Sequence, residues 1–267
     1  MESSNNISAT SKNRHQQLNL LIFTIIVLAS FIAFLAGIPY VSDLLKLPIP
    51  SLGEVLIGSL LQTLINIPVI LLGLHLGAKV GLGTRDLRAL LAREPKALQN
   101  FLKSARYAFI IGLITGAVLL LLSRLSSFIL PPDVANIARD IKSPQAIAGF
   151  LGSISAGINE EIIMRLFIMS FFIWLFTKIL RRPQPNNGMI WAANIIAALL
   201  FGALHLPLTA QIYKELIPII VLNIIILNTL AGTLFGWLYW KRGILAAVIA
   251  HFVADIVLHV IPAFFVK

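Results

Sequence analysis

Three short stretches of this sequence carry the side chains that chemistry needs. Asn159-Glu160-Glu161-Ile162-Ile163-Met164-Arg165 sets two carboxyl groups beside a guanidinium. Phe201-Gly202-Ala203-Leu204-His205 ends on an imidazole, and His251-Phe252-Val253-Ala254-Asp255 joins an imidazole to a carboxyl, with His259 one turn further on. Carboxylates and imidazoles can activate water, and amide hydrolysis also needs a stabilised oxyanion and a proton for the leaving amine. Two histidines with a carboxylate would equally make a zinc set with an open position. The same groups would also serve an ion relay in a transporter.

Helical spacing sorts them. Glu161 and Arg165 are four apart, share a face and can form a buried ion pair. Glu160 is turned about 100° from Glu161, so it has no partner on its own helix and is suited to act as a general base or acid. His251 and Asp255 are again four apart and point the same way. His205 stands on a separate segment, just before Pro207 interrupts regular backbone. No His-Glu-x-x-His helix is present, so the usual soluble zinc-protease signature is missing.

The elements that must position these groups are apolar. Of 267 residues, 58% are hydrophobic and 12% charged, with a mean hydropathy of +0.91. A soluble domain carries about 25% charged residues, so lipid is the expected solvent. Segments long enough to span run at 19–41, 54–78, 105–123, 146–177, 190–206, 217–240 and 243–263. A span needs about 20 apolar residues. The expected fold is therefore all-α: a polytopic transmembrane helical bundle of about seven spans, with a polar intramembrane active site formed by the second-half helices. The fourth segment is long enough to tilt, or to begin along the interface. Residues 1–18 read as a polar, disordered cytoplasmic tail, 19–145 as N-terminal transmembrane helices with a basic connector, and 146–267 as the catalytic membrane region.

Charge sets the orientation. With the N-terminus inside, that side holds Lys12, Arg14, Lys79, Arg85, Arg88, Arg93, Lys96, Lys103, Arg106, Lys178, Arg181, Arg182, Lys241 and Arg242. The other side holds Lys46, Arg124, Arg139, Lys142, Lys214 and Lys267, and Arg165 lies within a span. Fourteen against six favours a cytoplasmic N-terminus in a multi-pass protein, of the plasma membrane if bacterial. The net charge of +10 is thus a topology signal, and no nucleic-acid partner is expected. The 79–104 connector should hold a surface helix capped by Thr84, with Leu87, Leu90 and Leu91 on one face. Gly232 and Gly236, with Ala231, allow close helix approach. Cysteine is absent, so no disulfide or thiolate metal site is available.

The first three spans offer little beyond Gln62, Asn66 and His75, which places the chemistry between residues 150 and 260. Here the sequence resembles the CPBP family of intramembrane proteases, which includes CAAX prenyl endopeptidases and Abi-type bacteriocin-immunity proteins. Glu-Glu-x-x-x-Arg matches Glu160, Glu161 and Arg165; Phe-x-x-x-His matches Phe201 and His205; His-x-x-x-Asn/Asp matches His251 and Asp255. The resemblance covers about 148–260 and implies an intramembrane endopeptidase acting on a membrane-associated peptide or protein. It implies that Glu160 and His205 activate water, and that His251 and Asp255 serve either the oxyanion or a metal. Asp255 stands where prenyl-protein endopeptidases usually have Asn, and an ionised carboxylate cannot donate to an oxyanion. Two cofactor readings stay open: none, or zinc held by Glu160, His205, His251 and Asp255. The competing functions are a membrane transporter and a non-catalytic scaffold or immunity protein.

Overall fold

The computed structural model describes residues 2–126, 128–132, 144–213 and 215–265, with side chains from residue 13 onward. Lys12, Arg139, Lys142, Lys214 and Lys267, counted above for orientation, have side chains outside the described set. The chain is 85% helical and has no strands among the described residues. Its helices are α1 (Glu2–Leu44), α2 (Leu52–Lys79), α3 (Arg85–Leu91), α4 (Ala97–Ser126), α5 (Ala146–Glu161), α6 (Ser170–Ile179), α7 (Asn187–Leu204), α8 (Leu206–Tyr213), α9 (Pro218–Arg242) and α10 (Ile244–Asp255). A π-helical stretch, Ile162–Met169, joins α5 to α6 without a break, and another, Ile256–Val260, follows α10.

Seven helices are long and apolar enough to cross a membrane: Asn13–Leu44, Leu52–Lys79, Ala97–Ser126, Ala146–Ile179, Asn187–Tyr213, Pro218–Arg242 and Ile244–Phe264. Their outer faces expose large side chains such as Leu60, Ile65, Phe109 and Ile114. Apolar patches on that scale need lipid, not water, around them. The 1–18 tail, expected to be disordered, instead continues α1 from Glu2. It contains neither Gly nor Pro, and adding residues to an existing helix avoids the unfavourable nucleation step. The fourth span runs as one continuous helical stretch of 34 residues, Ala146–Ile179.

Two clusters hold the bundle. One joins Ile22 and Ile26 of α1 to Ile70 of α2, Leu166, Met169 and Ile173 of the fourth span, Ile190 of α7, and Tyr239 and Ile244. The other packs Ala108 and Leu119 of α4 against Phe235 of α9 and Ala246, Ala250 and Ala254 of α10. Small residues let these helices approach closely. At Gly236 an added Cβ would collide with the Asn194 amide, and at Gly232 it would meet the Ala198 Cβ at 3.0 Å.

Buried polar bonds tie the first half to the second. Ser30 donates to Asn159 Oδ1 at 2.7 Å and accepts from Asn66 at 3.0 Å, which joins α1, α2 and α5 beside the Glu160–Glu161 pair. On the connector side, Tyr239 Oη accepts from Gly83 N at 2.8 Å and bonds Ser170 Oγ at 2.9 Å. Thr84 occupies the N-cap position of α3, but its side chain makes no capping bond. Asp86 takes over, with Oδ1 accepting from Leu87 N at 2.9 Å and Oδ2 from Leu245 N at 2.8 Å. Burial pushes the Asp86 carboxyl above the usual carboxylate range, and these N–H donors oppose that rise. Gly243, at φ +101°, turns α9 into α10, and a Cβ there would collide with the Asp86 carboxyl. Asp86 thus fastens α3 over the buried start of α10.

Candidate functional site

A cavity of about 540 Å³ lies between the helices, and Glu160, His205, His251 and Asp255 all line it. By linear counting from the inner span ends, Glu160, His205 and His251 should sit about 27, 22 and 12 Å deep at 1.5 Å per residue. Those depths disagree unless a helix tilts, breaks or starts deeper. The last applies to α10, whose first residues Ile244, Ala246 and Ala247 are already buried.

His251 is the most heavily partnered residue of the group. Its Nδ1 donates to Glu161 Oε1 at 2.8 Å. Its Nε2 lies 3.7 Å from Glu160 Oε2 and 3.7 Å from Asp255 Oδ2. Phe235 stacks on the ring at 4.7 Å between centroids, and Phe201 meets it edge-on at 5.7 Å. The imidazole is therefore held in plane by two aromatics and in rotation by Glu161. That leaves Nε2 as the atom facing the carboxyl pair.

Glu161 has a second partner. Arg165 Nε approaches Glu161 Oε2 at 3.2 Å, and both side chains are essentially inaccessible, at 1% and 0%. The contact is an ion pair without hydrogen-bond alignment, since neither atom makes a hydrogen bond. Arg165 Nη2 donates instead to the Gly232 carbonyl at 2.9 Å, and the guanidinium lies 5.1 Å from the centre of the Phe201 ring. The sequence spacing anticipated this pair. It gave no sign of the bond from Glu161 to His251, which is 90 residues away.

Glu160 differs from its neighbour. Its side chain is 36% exposed into the cavity, yet Oε2 is buried and makes no hydrogen bond. The rotation that gives the two carboxyls different surroundings is the one helical spacing implied. The π-helical stretch begins at Ile162, immediately after them; π turns are rare and concentrate at functional sites.

His205 is the C-cap of α7, and Pro207, lacking an N–H, interrupts the helical hydrogen bonding where α8 follows from Leu206. Its Nδ1 donates to the Phe201 carbonyl at 2.8 Å, which leaves Nε2 as the open nitrogen, and its ring meets Phe201 edge-on at 4.7 Å. The Phe-x-x-x-His spacing thus has a local cause: Phe201 supplies the backbone acceptor and the packing surface for its own histidine.

Two cavity-lining residues, Tyr40 and Asn228, were not foreseen. Tyr40, near the end of α1, shares a hydrogen bond of 3.3 Å with His259 Nδ1, and both face the cavity. His259 stands four residues beyond Asp255, the position one turn further on noted in the sequence. Asn228 of α9 also lines the cavity, bonding its own helix at Ile224 O. A lone tyrosine or asparagine in an apolar span carries no such signal. His75, by contrast, is exposed near the end of α2, away from the cavity. Among the described residues, no three His, Asp or Glu side chains are grouped so as to hold one metal ion.

Residues 142–257 match the family model described as type II CAAX prenyl endopeptidase Rce1-like. The match takes in Glu160, His205, His251 and Asp255, and stops short of His259. Neither a curated protein nor a solved structure matches the chain. This match, over 142–257, supports a CPBP-family intramembrane protease.

Proposed function

We propose that this chain is an intramembrane protease of the CPBP type that hydrolyses a peptide bond of a membrane-associated polypeptide, with Glu160 and His205 activating the attacking water. The observation that carries this reading is the buried Oε2 of Glu160 in the cavity wall, which makes no hydrogen bond. A carboxylate oxygen held out of bulk water with no donor of its own is a ready proton acceptor for a bound water. Glu160 takes the proton as the water oxygen bonds to the scissile carbonyl carbon. His205, fixed through Nδ1 to Phe201, orients that water through Nε2. The proton held by Glu160 then passes to the leaving amine as the C–N bond breaks.

The developing oxyanion needs a donor. His251 in its imidazolium form donates Nδ1–H to Glu161 and keeps Nε2–H for the oxyanion, and Asp255 at 3.7 Å steadies that ring. Glu161 and Arg165 position His251 and do not touch substrate. The test is cleavage of a membrane-anchored peptide by purified protein in liposomes. Glu160→Gln and His205→Ala should each lower turnover by about 10²–10⁴-fold with helical content unchanged, the usual worth of a positioned general base. Glu160→Gln cleaving as fast as the parent would overturn the assignment.

A further inference from the structure

The cavity extends from the middle of the bundle towards one end, and helix direction says which. Tyr40 and Ser123 line it from the C-terminal ends of α1 and α4, and His205 and His259 line it from just beyond α7 and α10. Gly152 and Asn228 line it from the N-terminal halves of α5 and α9. The first, third, fifth and seventh spans run one way and the fourth and sixth the other, so these six positions share the membrane half opposite the N-terminus. The other half is filled. Below the layer of Phe235, Glu161 and Arg165 lie buried Leu166, Met169, Ile173, Ile190 and Tyr239, and α3 is fastened across the start of α10.

The charge distribution is independent of that geometry. Among the residues with described side chains, the filled half ends in the N-terminal segment, connector and turns that hold thirteen Lys and Arg, against Lys46 and Arg124 on the cavity side. Segments rich in Lys and Arg are retained on the cytoplasmic side.

We infer that the cavity opens on the non-cytoplasmic side of the membrane, and that its substrate is the stretch of a membrane-anchored polypeptide lying in the non-cytoplasmic half of the bilayer. This rests on reading the cavity as the hydrolytic site. Such a substrate is apolar where it meets the cavity wall, where Leu119, Leu204, Leu208 and Leu258 contribute side chains. It reaches the site after export or insertion, not from the cytosol. A helical substrate must locally unwind there, since a helical peptide bond is shielded by its own hydrogen-bonded turn.

The chain has no cysteine, so single thiols can be placed without further engineering. Ser123→Cys puts one on the cavity wall, and Leu47→Cys puts one in the exposed α1–α2 turn of the same face. Ser104→Cys puts one beside the connector, in a smaller pocket lined by Arg85 and Lys241. Intact cells and inverted vesicles are treated with a membrane-impermeant maleimide. The expected result is labelling of Leu47→Cys and Ser123→Cys from outside the cell and of Ser104→Cys only in inverted vesicles. The reverse pattern would overturn the inference and leave the protease reading standing. Labelling of Leu47→Cys and Ser104→Cys from one face would overturn it as well. Loss of activity plays no part in this readout, so failure of the catalytic assignment shows separately in the Glu160→Gln assay.

Discussion

Glu161 joins two residues that are otherwise unrelated in sequence: Oε1 accepts from His251 Nδ1 at 2.8 Å, and Oε2 meets Arg165 Nε at 3.2 Å. The two adjacent glutamates should therefore fail differently. Glu161→Gln leaves Arg165 buried and unpaired, and breaking a buried pair typically costs about 3–5 kcal/mol. It should lower membrane accumulation and thermal stability in detergent. Glu160→Gln should accumulate like the parent. Instability confined to Glu160→Gln would reverse the assignment.

Asp255→Asn separates the two chemistries the sequence left open. Asparagine donates a hydrogen bond where an ionised aspartate cannot, and it is a poorer metal ligand. Retained or raised cleavage, with unchanged metal content by elemental analysis, is expected. Loss of activity together with loss of bound zinc would instead make Asp255 a ligand.

Gly152 should tolerate no side chain. A Cβ there would sit 2.5 Å from the Tyr40 ring, and overpacking of this kind costs about 1–3 kcal/mol. Gly152→Ala should lower the melting temperature and disturb the cavity wall that Tyr40 forms with His259. Gly58→Ala, which meets nothing within 4 Å, should not destabilise. Equal effects from both would mean that α1 does not pack on α5 this closely.

Asp86 gives a pH prediction. Its carboxyl is raised by burial, so the folded protein holds a proton that the unfolded chain has already released. Its contribution to stability is greatest below the ordinary carboxylate value of 3.8 and is lost as pH rises through the raised folded value. Asp86→Asn should flatten that part of the stability-versus-pH curve. Asp86→Ala should speed amide hydrogen exchange across residues 85–91, because it removes the acceptor for Leu245 and Leu87. A slope unchanged in Asp86→Asn would assign it to another group.

The seven spans were legible because apolar length is a one-dimensional property. So was the Glu161–Arg165 pair, because i and i+4 share a helix face. Partners across helices were not legible. Glu161 with His251, Ser30 with Asn159, and Asp86 with Leu245 are each separated by 90 residues or more, and no local period encodes which spans meet. The capping role expected of Thr84 went to Asp86 because a buried carboxylate could serve two backbone donors at once. The helix through the 1–18 segment was not legible because polarity implies water, while absence of helix breakers permits α1 to run on.

The π-helical stretch after Glu161 has a genetic consequence. A turn that closes over five residues is an α-helix carrying one residue too many, and each α-helical residue advances about 100° around the axis. Loss of a single codon between 162 and 169 would let the stretch close as ordinary α-helix. It would also swing Glu160 and Glu161 through about that angle relative to Ser170, which α6 keeps bonded near Tyr239. Every site side chain would remain in the gene, while the carboxyl pair would no longer face His251. A family alignment searched only for intact Glu, His and Asp positions would score such a chain as active; the length of this one segment is the character that would reveal the loss.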